Sequence, residues 1–268
     1  MHPHAETLWR GPRWTLAILL AVLGMLGPFS IDTYLPAFSG IASSLNASPV
    51  HMQQTLSAYL YGFAFMNLFH GALADSFGRR PVILWGLMAF TLASLGCALA
   101  QNVTQLIVFR AMQGLSCGAG VVVSRAIVRD IFPPTQAQKV MSQITIFFGL
   151  APAIAPIMGG WLFVSLGWHS IFWLLTAIGL ALWAVNFKML PESLHASQRQ
   201  PFSIPHLMRG YWQLCTDPRF LLLALASGIP FNGMFLYVLS APAFLGELLQ
   251  LQPTQFFWLF VLNIGGIM

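Results

Sequence analysis

Hydrophobic residues in this chain come in long blocks. Apolar runs occupy roughly 14–39, 52–74, 81–100, 104–127, 138–165, 167–190 and 218–245. Each reaches the about 20 residues that a helix needs to cross a bilayer. An eighth run begins near Pro253 and breaks off at Met268 after about 16 positions, short of a full span. The first run passes twenty residues without a small-residue cleavage site, which predicts a retained membrane helix.

Composition agrees with the blocks. The chain of 268 residues is 57% hydrophobic and only 7% charged, with mean hydropathy +0.73. A soluble domain carries about 25% charged residues, so the solvent of this chain must largely be lipid. The formal charge of +5, from 12 basic and 7 acidic residues, is small enough to be a topology signal and predicts no nucleic-acid surface. Lys and Arg are confined to alternate loops. Arg10 and Arg13 precede the first run, Arg79 and Arg80 follow the second, and Arg129 and Lys139 follow the fourth. Lys188, Arg199, Arg209 and Arg219 lie in or beside the loop after the sixth, whereas the loops at 40–51, 100–104, 165–169 and 246–253 contain neither. The positive-inside rule then places the N-terminus in the cytoplasm. Cys97, Cys117 and Cys215 are too scattered for a disulfide framework or a metal site and read as small apolar fillers.

These signals divide the chain into a short cytoplasmic tail over 1–13, a six-helix unit over 14–190, a cytoplasmic loop over 191–217 and the start of a second unit over 218–268. Within the loop, Ile204–Leu214 reads as a short amphipathic helix for the membrane surface. Asp217 and Pro218 read as the cap and first turn of the seventh helix. Pro36-Ala37-Phe38-Ser39-Gly40 recurs as Pro242-Ala243-Phe244-Leu245-Gly246, an offset of 206 residues. Two parallel six-helix halves produce such a repeat, so the expected complete chain has twelve helices and on the order of 400 residues.

Charge is concentrated in one place. The stretch from His70 to Leu84 packs Asp75, Arg79 and Arg80 between two apolar runs. Gly71 permits close helix approach, Gly78 a tight turn, and Pro81 the start of the next helix. The segment Gly71-Ala72-Leu73-Ala74-Asp75-Ser76-Phe77-Gly78-Arg79-Arg80 resembles the G-x-L-a-D-r-x-G-r-(K/R) motif of the major facilitator superfamily. Arg110-Ala111-Met112-Gln113-Gly114 resembles that superfamily's R-x-x-Q-G motif. Ala155-Pro156-Ile157-Met158-Gly159-Gly160 resembles the G-P-x-x-G-G motif of its drug antiporters, with Ala155 in place of the first glycine. Asp32-Thr33-Tyr34-Leu35-Pro36 and Ser124-Arg125-Ala126-Ile127-Val128-Arg129-Asp130 are similar to the bicyclomycin-resistance (Bcr/CflA) branch. The resemblance covers the whole chain and corresponds to about two-thirds of such a transporter. It implies an all-α membrane protein of the inner bacterial membrane, with a six-helix N-terminal half, helix 7 and part of helix 8. It also implies a cytoplasmic gate at Gly71, Asp75, Gly78, Arg79 and Arg80, with Arg125 and Asp130 at the end of the fourth span. The helix-5 segment Ala155, Pro156, Gly159 and Gly160 becomes a seal against leakage.

Two charges lie within the apolar depth, Asp32 and Arg110. By the topology above, Asp32 lies about 6 Å and Arg110 about 9 Å from the outer ends of their helices. A lone charge there costs at least about 2.5–3.5 kcal/mol, so pairing is expected. One reading is a permanent salt bridge. The other is a protonatable site, because burial favours the neutral carboxyl and a neighbouring guanidinium favours the ionised one. Val238 stands opposite Asp32 in the second half, so the coupling acid is not duplicated. Candidate substrate-binding residues on the same central spans are Tyr34, Tyr59, Met112, Gln113, Phe147, Phe148, Asn232 and Tyr237, each of which also reads as ordinary helix packing.

Other signals carry little. Gly114-Leu115-Ser116-Cys117-Gly118 matches a nucleophile-elbow spacing but lies inside an apolar helix with no preceding strand. No P-loop is present, and His195 and His206 lack metal-ligating company. The sequence therefore points away from an enzyme and from any cofactor or metal. It points to proton-driven efflux of drug-like small molecules by a chain that is monomeric at full length. A metabolite transporter of the same fold, or a non-transporting membrane fragment with an interaction role, remains the alternative.

Overall fold

The computed structural model describes residue 9 and residues 12–241, 244–245 and 248–252, and every described regular element is helical. The eighth apolar run, from Pro253 to Met268, lies outside the described residues.

Helix α1 spans Arg13–Asp32 and gives way to a 3-10 turn over Leu35–Ala37 and a short α2 over Phe38–Ser44. The sequence predicted one continuous helix here. Pro36 explains the break, because it has no N–H to offer and its ring collides with the carbonyl four residues back, that of Asp32. The regular helix thus ends on the acid. Helix α3 runs Pro49–Phe77, with Ser48 at its N-cap accepting from His51 N at 3.3 Å. Gly78 alone separates it from α4, Arg79–Ala98, and does so at φ 104°, where a glycine is at ease. Asn102 caps α5, Val103–Ile131, at 2.9 Å. Helix α6 covers Pro134–Leu166 and contains Pro152 and Pro156, and α7 covers His169–Met189. The loop helix appears as α8, Ile204–Thr216, and Asp217 then accepts from Arg219 N at 2.9 Å to start α9, Pro218–Ala241.

Among the described residues, five stretches are long and apolar enough to cross a membrane: Trp14–Ser44, Arg79–Ala98, Val103–Ile131, Pro134–Leu166 and His169–Met189. Helix α3 has the length, but Gln53, Gln54, Asn67, His70 and Asp75 lower its hydropathy. Lipid supplies no hydrophobic force between helices, so small residues that allow close approach decide which of them pair. Helix α3 lies along α5, and a Cβ on Gly114 would come within 2.0 Å of the Tyr59 carbonyl oxygen. Helix α1 is held by α5 at Gly120 and by α6 at Gly159, where an added Cβ would sit 2.0 Å from Thr33 O. Helix α4 packs between α5 and α7, with Gly179 against Thr91. Trp85, Leu92, Trp161, Val164 and Leu180 point outward, as lipid-facing side chains do. Helix α8 buries none of its residues, exposing Ile204, Met208 and Trp212 at four-residue spacing, and α9 packs chiefly on α8.

Candidate functional site

Two polar centres stand out of the apolar bundle, and each is organised by an arginine. The deeper one is Arg110 on α5, fully buried. Its guanidinium lies between two tyrosine rings, 4.7 Å from the centroid of Tyr34 on the turn after α1 and 4.4 Å from that of Tyr59 on α3. Both rings are held in place by their hydroxyls. Tyr34 OH hydrogen-bonds with Thr55 Oγ1 at 2.7 Å. Tyr59 OH donates to Gly27 O at 3.0 Å and accepts from Ser30 Oγ at 2.8 Å, with Cys117 Sγ at 2.9 Å. Arg110 Nη1 donates to Ser30 O at 3.3 Å and to Gln113 Oε1 at 3.0 Å. Among the described residues, its Nε and Nη2 are buried without a partner.

Asp32, 3% exposed, ends α1 two residues after Ser30, yet no ion pair within 4 Å joins it to Arg110. The pairing expected from matched depth is therefore absent in this arrangement, because Arg110 is engaged by a backbone carbonyl, an amide oxygen and two ring faces. An arginine with two orphan N–H donors in a dry site is an acceptor-seeking group, since each unmet buried donor costs about 1–3 kcal/mol. The edge formed by Nε and Nη2 matches what a carboxylate takes in a two-point contact.

The α6 segment reaches the same place. Ala155, Pro156, Gly159 and Gly160 are all buried, and Gly159 presses on the backbone of Thr33, the residue after Asp32.

The second centre lies at the other end of α3 and α5. Arg79 Nη1 pairs with Asp75 at 2.5 Å and Nε with Asp130 at 3.0 Å. Ser193 Oγ also donates to Asp130, at 2.9 Å. Glu192, from the segment after α7, accepts from the backbone N–H of Arg79 at 2.9 Å and of Arg80 at 3.3 Å. These are the first two amides of α4, so a carboxylate caps the positive end of that helix. Gly78 makes room for it: a Cβ there would stand 2.3 Å from Glu192 Oε2. Arg80 turns to the end of α7, donating to Phe187 O at 2.5 Å and lying over the Phe187 ring at 5.5 Å. A Cβ added at Gly71 would stand 3.9 Å from Val122 in the α3–α5 seam.

The sequence reading and the geometry differ at several residues. Arg125 is exposed on α5 and takes no part in the ion pairs of this cluster. Asp75 of the gate motif is half-exposed. Met112, 43% exposed, shares a stripe with Val108 and Leu115 turned away from Gln113, so it does not line the Arg110 site. Phe147 is half-buried against the core, and Asn232 is exposed on α9, away from Arg110. The side chains of Phe148, Tyr237 and Val238 lie outside the described residues. Tyr34, Tyr59 and Gln113 do converge on Arg110. Ser30, Thr55, Ser94 and Glu192 escaped the sequence reading. Glu192 is one of two acids in the 191–217 loop, with Asp217, and nothing in the sequence singles it out.

The chain matches the model of the Major Facilitator Superfamily over residues 11–268. It is 36% identical to a bicyclomycin resistance protein homolog of Haemophilus influenzae over 247 residues, 92% of this chain and 62% of the relative. It is 36% identical to the multidrug resistance protein MdtL of Escherichia coli over 175 residues, 65% of this chain and 45% of the relative. The chain thus spans less than two-thirds of the length of these relatives. Among solved structures, an inward-facing, unoccupied bacterial homolog of the lysosomal transporter Spinster superposes with a TM-score of 0.71 at 14% identity, over 95% of this chain and 58% of that one.

Proposed function

Because the chain belongs to the major facilitator superfamily, we propose that it forms the N-terminal part of a proton-coupled exporter of drug-like small molecules, with Asp32 and Arg110 as the coupling pair. The observation that carries this reading is the open Nε/Nη2 edge of a fully buried Arg110 whose Nη1 rests on Ser30 O, two residues before Asp32. When Asp32 is neutral, Arg110 rests in its tyrosine box on Ser30 O and Gln113 Oε1. When Asp32 loses its proton, its carboxylate takes the free edge, and the two buried charges compensate each other. A proton arriving from outside restores the first arrangement. Because α6 presses on Thr33 through Gly159, a movement of the Asp32 turn is felt by the antiporter-like segment. No bound cofactor enters the cycle, and the proton gradient supplies the energy.

The names of two relatives, a bicyclomycin resistance homolog and a multidrug resistance protein, support a drug-like substrate. Two tyrosine faces beside a cation suit planar or amphipathic molecules. The Arg79 cluster is the cytoplasmic gate of this reading, and the distribution of Lys and Arg supports an inner-membrane protein with a cytoplasmic N-terminus. At full length the exporter acts as a monomer.

The test is drug susceptibility of an efflux-deficient bacterium producing the chain completed to the length of its relatives, with and without a protonophore. Protonophore-sensitive resistance, abolished by Asp32→Asn with membrane insertion intact, is the expected result. Normal efflux from Asp32→Asn excludes Asp32 as the coupling acid. Resistance from neither form, despite insertion, turns the reading to a metabolite transporter.

A further inference from the structure

Ser94 belongs to none of the motifs that drew attention to this chain, yet it is fully buried on α4 and touches the Arg110 site through one intermediary. That intermediary is Gln113, whose amide has chemically opposite ends. Gln113 Oε1 accepts from Arg110 Nη1 at 3.0 Å, with the Cys97 thiol at 3.6 Å, while Nε2 donates to Ser94 Oγ at 2.8 Å. The single proton of the Ser94 hydroxyl is directed to Phe90 O at 2.7 Å. Only lone pairs remain for Gln113, so Ser94 can receive the NH2 end of the amide and not its oxygen. Arg110, which only donates, requires the oxygen at the other end. The two neighbours therefore select one amide orientation between them.

We propose that Ser94 is a positioning residue of the Arg110 site: its hydroxyl orients Gln113, and Gln113 holds Nη1 so that the Nε/Nη2 edge stays free for the Asp32 carboxylate. This rests on the proton-coupling reading and adds a fourth helix to it, since α4 contributes to a site otherwise built from α1, α3 and α5. Without the Ser94 oxygen, the Gln113 NH2 group has lost its buried acceptor. The amide then turns to find another, and Arg110 Nη1 loses the oxygen that anchors it.

The direct test is solid-state NMR of the chain in lipid bilayers, with nitrogen-15 in the glutamine and arginine side chains. Ser94→Ala is expected to displace the side-chain signals of both Gln113 and Arg110. Ser94→Thr keeps a hydroxyl able to bond the same carbonyl one turn back and leaves both signals in place. Thr91→Val is the control: it removes another buried hydroxyl from α4, one that donates to Leu87 O at 2.7 Å without reaching Gln113. Unmoved signals in Ser94→Ala, or equal movement in Thr91→Val, overturn the assignment. The second measurement is proton-driven efflux by proteoliposomes of the chain completed to its relatives' length. Ser94→Ala is expected to lower the rate at saturating substrate about tenfold, with Ser94→Thr near wild type. Wild-type protein without proton-driven efflux would refute the coupling reading and leave the NMR result to decide the positioning role by itself. Normal efflux from Ser94→Ala overturns that role in coupling.

Discussion

Arg79 and Arg110 are both nearly inaccessible, yet they are satisfied in opposite ways. Arg79 lies between two carboxylates, Asp75 and Asp130, with Glu192 on the amides of its own helix start. Among the described residues, Arg110 has no carboxylate within 4 Å and carries two idle nitrogens. The difference follows from depth. At the end of the bundle, acids are partly hydrated and inexpensive to keep ionised; Asp75 remains half-exposed. In the apolar interior an ionised acid is costly unless paired, and the arginine there rests on carbonyl oxygens and ring faces. One arginine is a closed clasp and the other an open receptor.

Arg110→Leu breaks the comparison at its most consequential point. Gradient-driven efflux by the completed chain should fall to background. Stability in detergent should change by no more than about 1 kcal/mol, because loss of two hydrogen bonds is offset by removal of two orphan buried donors. Protonophore-sensitive drug resistance and denaturant unfolding measure the two halves of that statement. Arg79→Gln should do the reverse. It leaves Asp130 partly buried with only Ser193 for company and removes the cation beside Asp75, which should cost about 1–2 kcal/mol of unfolding stability. Faster amide exchange at Arg80 and Val82 should accompany it, with part of the efflux retained. If Arg110→Leu is instead the more destabilising of the two, the contrast drawn here is wrong. Met112→Ala should have the smallest effect. Its side chain is exposed on the face turned away from Arg110, so stability should move by less than about 0.5 kcal/mol and efflux should not change.

The Arg79 cluster was legible in the sequence as far as its motif extends. Asp75 and Arg79 are one turn apart on a local scaffold, and Asp130 sits at the end of a recognisable span. Glu192 was not legible, being 113 positions from Arg79 and brought there only by the return of α7 to the same end of the bundle. Asp32 and Arg110 were identifiable as charges in apolar depth, and Tyr34, Tyr59 and Gln113 as polar company. Met112 shows the limit of such reasoning. It is next to Gln113 in sequence but about 100° away around the helix, which places it on the other side.

The sequence alone determined the class of the protein, because runs of about 20 apolar residues with charges kept to alternate loops admit helices across a bilayer and little else. It also marked the turn at Gly78, whereas the break at Pro36 and the caps at Ser48 and Asn102 emerged only in the structure. Tertiary structure alone decided which polar groups meet. Glycines at 62, 114, 120 and 159 set which helices come close enough to touch, and hence that Arg110 lies between two tyrosines and within reach of Ser30, while Ser94 orients Gln113 from α4. Helix formation is a local property that composition and spacing can report. The meeting of polar groups 16 to 113 residues apart depends on the packing of the whole bundle.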